Sequence, residues 1–190
     1  MFKIREKEDF EECFEFFKAN PYVEVIRCNE SYECIKIIVK GKEDTVYENG
    51  TFIFELRSPK DYPFRPPYVF CHTHIWHPNI NNEIPSGRPN LYLDLINPVL
   101  TSTVGGWTPS KTFTVIAEML KKLIHLEAPI FNIETILNVD AKNQIEEARY
   151  LFDEKAVEWT RRYATENQDV RLPQVEKLRL SSNIKNLNGI

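Results

Sequence analysis

The stretch Tyr47–Phe70, YENGTFIFELRSPKDYPFRPPYVF, decides how the rest of the chain is read. Asn49-Gly50 is a strong turn signal, and Gly50 to Leu56 after it is rich in β-branched and aromatic residues, the composition of a strand. Pro63, Pro66 and Pro67 then fall within five residues. Each proline fixes φ and removes a backbone donor, so this segment is predicted to be a rigid surface loop. Tyr68 to Cys71 reads as the next strand.

Working outward, Val23–Cys28 and Cys34–Lys40 have the same strand composition and are separated by Asn29-Glu30-Ser31, while Gly41 closes the second. With the two strands above they predict an antiparallel meander of four. Before them, Phe10, Cys13, Phe14 and Phe17 recur at helical spacing from about Glu8 to Ala19, and Asn20-Pro21 ends that helix. After them, a region from Pro78 to Pro109 has little periodicity, and a loop of that length is where a site is sought. Phe113, Ile116, Met119, Leu120, Leu123 and Ile124 predict a strongly amphipathic central helix stopping near Ala128-Pro129. Asn138 is an N-cap residue for a helix from Val139, and Phe152, Ala156, Trp159 and Tyr163 form an apolar stripe on another. The order of elements implies an α+β fold with the meander packed on the central helix.

A hydrophobic fraction of 42% in 190 residues is enough for one domain with a real core. The net charge of −4 is spread along the chain, with no basic block to neutralise phosphates, so nucleic acid is not an expected partner. No apolar run is long enough for a membrane span, and the charged N-terminus does not read as a signal peptide. The expected location is the cytoplasm, the nucleus or both. The four cysteines, Cys13, Cys28, Cys34 and Cys71, include no CxxC pair, and in such a compartment neither a disulfide framework nor a zinc ribbon is expected. All lie within the first 71 residues.

Several constellations fall to bland readings. His72 and His74 form an H-x-H pair with His77 nearby, yet nothing at ligand spacing completes a tetrahedron, so no metal and no cofactor is expected. Ser86, Ser102 and Ser110 lack a nucleophile setting, and Gly105-Gly106 lacks the rest of a phosphate loop.

Together, the opening stretch, His-Ile-Trp-His-Pro-Asn-Ile (His74–Ile80), Leu-Tyr-Leu-Asp-Leu (Leu91–Leu95), Trp-Thr-Pro-Ser-Lys-Thr-Phe (Trp107–Phe113) and Glu-Lys-Ala-Val-Glu-Trp-Thr-Arg-Arg-Tyr-Ala (Glu154–Ala164) resemble the ubiquitin-conjugating enzymes. The resemblance covers roughly residues 5 to 164 and implies the UBC fold: an N-terminal helix, a four-stranded antiparallel meander, a central helix and C-terminal helices. Residues 1–165 are taken as the UBC core domain and 166–190 as a C-terminal extension. In this family a catalytic cysteine follows the His-Pro-Asn motif and carries the modifier as a thioester. At the matching position stands Tyr92, and no cysteine follows Cys71. A thiol of pKa ~8.5 is partly ionised near neutrality and strongly nucleophilic, whereas a phenol of pKa ~10 is almost wholly protonated. A tyrosine here would end transthiolation at its first step, and its ring is expected to fill the groove that takes a modifier's tail in active members.

Other departures accompany it. The spacers on both sides of Tyr92 are longer than is usual in the family. The second, Asn-Pro-Val-Leu-Thr-Ser-Thr-Val-Gly-Gly-Trp (Asn97–Trp107), resembles the longer loop of the neddylation-branch conjugating enzymes. The acidic gate of many active members corresponds to Glu134–Leu137, with Thr135 at its second aspartate. The resemblance therefore leaves a degenerate site of Tyr92, Asn79, Asp94 and Thr135. His77, Pro78 and Asn79 are assigned a structural role, since the asparagine also hydrogen-bonds local backbone in the family.

Phe64, Pro109 and Ser110 match the two loops that grip ubiquitin ligases, although Phe64 packed on Trp107 as local core is an equal alternative. The first helix turns acidic after Lys3, Arg5 and Lys7, unlike the more basic surface that active members offer their activating enzyme. The function so implied is a catalytically inactive variant, a pseudoenzyme akin to the ubiquitin-conjugating enzyme variants, that binds a ligase, ubiquitin or a ubiquitin-like modifier, or an active conjugating enzyme. The alternative is an active enzyme using an unusual nucleophile or a partner's cysteine. A scaffold unrelated to ubiquitin is the third class, because fold does not fix function.

Overall fold

The computed structural model describes residues 3–84, 88–97, 106–126 and 136–165. The expected extension from 166 onward, the gate residue Thr135, and most of the loop between Tyr92 and Trp107 lie outside the described residues.

Helix α1 (Lys3–Phe17) leads into strands β1 (Val23–Arg27), β2 (Cys34–Lys40), β3 (Thr51–Arg57) and β4 (Tyr68–Cys71). A short 3-10 turn (Asp94–Ile96) and helices α2 (Phe113–Ile124), α3 (Val139–Glu147) and α4 (Arg149–Tyr163) follow. The sheet order is β1-β2-β3-β4, antiparallel throughout, as the meander predicted. Side chains alternate across a pleat, so every second residue shares a face. Val23 and Val25, Ile35, Ile37 and Val39, Phe52, Phe54 and Leu56, and Val69 and Cys71 are all buried in one core. The register Val25↔Ile37↔Phe54↔Cys71 stacks them in a row.

The central helix α2 contributes Phe113, Ile116, Ala117, Leu120, Leu123 and Ile124 to that core. It ends at Ile124 with His125 as its C-cap, a few residues before the Ala128-Pro129 stop expected from the sequence. Helix α1 lies against α2 and β1. Cys13 and Phe17 are buried on it and Phe10 is half-buried, but Phe14 is exposed and stacks on Phe10 at 5.9 Å. The apolar stripe of α1 is thus narrower than its spacing suggested.

Two polar ties fix this helix. Glu12 accepts hydroxyls from Thr112 at 2.8 Å and Thr114 at 2.7 Å, at the start of α2. Buried Asp9 accepts the Tyr62 hydroxyl and pairs with Arg5 at 2.9 Å. Burial pushes the Asp9 carboxyl up from its ordinary value, against the pull of those two donors.

Helix α3 begins at Asn138, whose side chain accepts from the Ala141 N–H at 3.1 Å, the cap the sequence predicted. On α4 the buried line is Phe152, Ala156 and Thr160. Trp159 and Tyr163 flank it, their rings against His74 at 6.4 and 5.2 Å. Thr160 belongs to the core because its hydroxyl donates to the carbonyls of Ala156 and Val46.

The cysteines correct one expectation. Cys28 and Cys34 are joined in a disulfide, with Cα atoms 5.4 Å apart. Their spacing does not mark them as a pair, but the hairpin does. Cys28 donates its N–H to the Cys34 carbonyl at 3.0 Å, so the strand ends set the two side chains face to face. Cys13 and Cys71 are buried free thiols.

Candidate functional site

The segment after β4 is held by its own backbone and by two asparagines. Asn82 accepts the Ile75 N–H at 2.9 Å and donates to the Ile75 carbonyl at 2.8 Å. Asn90 does the same for Cys71, at 2.7 and 2.9 Å. Each side-chain amide thereby imitates one residue of a neighbouring strand, supplying both an acceptor and a donor along the edge that β4 and its continuation turn away from β3. Sequence reasoning missed both residues, since an asparagine in a polar loop carries no periodic signal.

Between these clamps the loop folds back on itself. Asn81 donates its N–H to the Asn90 carbonyl at 2.9 Å, Ile80 and Leu91 form an isolated antiparallel bridge, and Tyr92 donates its N–H to the Asn79 carbonyl at 3.0 Å. The fold therefore sets Tyr92 directly across from Asn79, bringing together two of the four residues of the degenerate site. Asp94 lies just beyond, opening the 3-10 turn. Thr135 falls outside the described residues.

His77 and Asn79 are buried, and the Asn79 N–H donates to His77 Nδ1 at 3.0 Å, which fixes that nitrogen as the unprotonated one. The Pro78 carbonyl accepts two N–H groups, from Leu137 and Asn138, each at 2.9 Å. One residue before the motif, the Trp76 carbonyl accepts the hydroxyl of fully buried Tyr47 at 2.7 Å. Burial pushes the Tyr47 phenol up, so it stays a donor. The His77-Pro78-Asn79 turn thus orients the Tyr92 strand through Asn79 and the start of α3 through Pro78.

Tyr92 is half-buried, and its hydroxyl accepts from the Asn97 side-chain amide at 2.6 Å. Its ring lines a groove of about 320 Å³ together with Pro66, Pro67, Tyr68, Leu93 and Ile96. The ring forms one wall of it. An amide donor cannot take up a phenolic proton, so the Asn97 contact orients Tyr92 without activating it as a nucleophile. The thiols elsewhere are no better placed. Burial raises both Cys13 and Cys71 to about 12, and the other two are bonded to each other.

The two candidate ligase loops stand beside one another. Phe64 is 67% exposed, and Pro109 and Ser110 are exposed. Phe64 does not pack on Trp107. That ring packs instead against Tyr62, with centroids 5.9 Å apart, and its indole N–H donates to the Pro63 carbonyl at 2.6 Å. Trp107 therefore joins the two loops and leaves the Phe64 ring outward. On α1, Arg5 is paired with Asp9, and Lys7 with Glu11 at 3.6 Å.

The two histidines considered as a metal pair do not converge. His72 Nε2 lies 2.9 Å from Glu55, while His74 sits against the rings of Trp159 and Tyr163.

The sequence profile described as ubiquitin-conjugating enzyme matches residues 6–160. Ubiquitin-conjugating enzyme E2-22 kDa of Drosophila melanogaster is 28% identical over 157 residues, covering 79% of this chain and 71% of that protein. Ubiquitin-conjugating enzyme E2 T of Danio rerio is 29% identical over 149 residues, covering 75% and 71% respectively. A solved chain from Plasmodium yoelii, described as a ubiquitin conjugating enzyme, superposes with a TM-score of 0.65 at 25% identity over 85% of this chain and 96% of its own.

Proposed function

The chain belongs to the ubiquitin-conjugating enzyme family, and from that premise we propose that it is a catalytically inactive member, a binding and regulatory module in ubiquitin or ubiquitin-like modifier conjugation. One observation carries the reading: the residue across from Asn79 is Tyr92, oriented by an amide, in a chain with no cysteine beyond Cys71. Its partners are a ubiquitin ligase, the modifier, or an active conjugating enzyme, met in the cytosol or nucleus. Phe64 with Pro109 and Ser110 is the surface offered to a ligase: a rigid proline loop presents an exposed ring, and Trp107 fixes it relative to the second loop. Ion pairing of Arg5 and Lys7 within α1 weakens the basic surface an activating enzyme would use.

The test is incubation with activating enzyme, ATP and a panel of labelled ubiquitin-like modifiers. No adduct is expected on this chain. A single-modifier adduct cleaved by thiols would overturn the proposal, and a thiol-resistant, hydroxide-sensitive adduct at Tyr92 would establish oxygen-ester chemistry instead. Tyr92→Cys probes the frame. If the variant forms a thiol-sensitive adduct, the remodelled loops still admit a modifier tail and an activating enzyme still docks.

A further inference from the structure

The outer end of the first hairpin gathers side chains that conjugation does not use. Cys28 follows β1 and Cys34 opens β2, and Lys36, two residues on, pairs in register with Glu55 on β3. Ligand atoms of Cys28, Cys34 and Glu55 all lie within 4.8 Å of one another. Glu55 is buried, its oxygens held by Arg57 Nε and, at 2.9 Å, by His72 Nε2. Burial alone would raise its carboxyl, but the hydrogen bonds from His72 and Arg57 outweigh that and hold it below the usual range. The His72 side chain is 44% exposed, so its ring can turn without disturbing the core.

We propose that Cys28, Cys34 and Glu55, joined by His72, form a zinc-class metal site when the Cys28–Cys34 bond is reduced. Zinc takes four such ligands in a tetrahedron, with sulfur at ~2.3 Å and nitrogen or oxygen at ~2.0–2.2 Å. Two oxygen or nitrogen ligands then lie ~3.3 Å apart, close to the present separation of His72 and Glu55. Charge also balances: two thiolates and a carboxylate meet the divalent ion, and the adjacent Arg57 guanidinium offsets the remaining negative charge.

The chemistry runs in two steps. A thiol reductant gives its two hydrogens to the disulfide, leaving two cysteine thiols and an oxidised reductant disulfide. Binding of the metal then expels both thiol protons. Disulfide and metal therefore exclude each other at this hairpin. Cys13 and Cys71, buried and raised to about 12, take no part.

The full chain, reduced with a phosphine and stripped of metal, is titrated with cobalt and then zinc. Expected are one equivalent of cobalt with a thiolate charge-transfer band, its displacement by zinc, two protons released per zinc, and a higher melting temperature for the reduced protein with zinc. Glu55→Gln should weaken binding by about tenfold or more, and Cys28→Ser should lose the band. The oxidised protein, which needs no substitution, should bind nothing here. Stoichiometric binding that survives oxidation or Cys28→Ser, or the lack of stoichiometric binding by the reduced protein, overturns the site.

Discussion

Replacing Asn90 by alanine measures how firmly the Tyr92 segment is held. The substitution removes an acceptor 2.7 Å from the Cys71 N–H and a donor 2.9 Å from the Cys71 carbonyl. Both backbone groups belong to a buried residue at the end of β4. A typical hydrogen bond contributes about 1 kcal/mol net, and a buried group left without a partner costs about 1–3 kcal/mol, so the two groups together should cost about 2–6 kcal/mol. In a domain of this size each kcal/mol lowers the melting temperature by about 2–4 °C, giving a fall of about 4–24 °C. Urea unfolding at constant slope gives the free energy, and amide hydrogen exchange at Cys71 gives the local effect. Asn81→Ala is the control. Its side chain makes one exposed bond, to the Glu83 N–H at 2.9 Å, and should cost about 0.5–1 kcal/mol. A loss below ~1 kcal/mol in Asn90→Ala, or unchanged protection of the Cys71 amide, would refute the clamp.

Further outcomes follow from particular side chains. Iodoacetamide applied to the reduced native protein should label Cys28 and Cys34 and spare Cys13 and Cys71, as peptide mass spectrometry would read. Thiols raised to about 12 are ionised to roughly one part in 10⁵ at neutral pH. Phe64→Ala should change stability by less than ~0.5 kcal/mol, because the ring is 67% exposed, yet weaken ligase binding about tenfold, as thermal melts and calorimetric titration would separate. Glu55 sets an acid limb. Its folded-state carboxyl is depressed below 4.5, so its contribution is complete above that value and is lost as pH falls through the folded one. Stability curves below pH ~5 should therefore be flatter for Glu55→Gln than for the natural chain.

The meander and the cap at Asn138 were legible because their signals are local: alternation along a strand, and a side chain reaching three residues on. The apolar stripe of α4 was legible in direction but not in width, because Thr160 is buried through a hydroxyl bond to Val46, a partner far away in sequence. The Cys28–Cys34 pairing depends on the hairpin register, which no spacing rule supplies. Asn82 and Asn90 were invisible for a related reason, since each satisfies the backbone of a residue 7 or 19 positions earlier. Phe64 was undecided between local core and exposed ring because the ring that packs on Trp107 is Tyr62, only two residues away. Tyr92 and Asn79 were readable as a pair only through the family resemblance. The bridge between Ile80 and Leu91 gives that pairing a physical cause.

The doubly occupied Pro78 carbonyl makes the turn a hinge pin of the frame. Whatever chemistry the site performs, something must receive the Leu137 and Asn138 N–H groups and so start α3 in the right direction. His77-Pro78-Asn79 therefore has an architectural duty in this chain that is separate from any chemical one. A change that moves this turn redirects α3 and the segment facing Asn79 together.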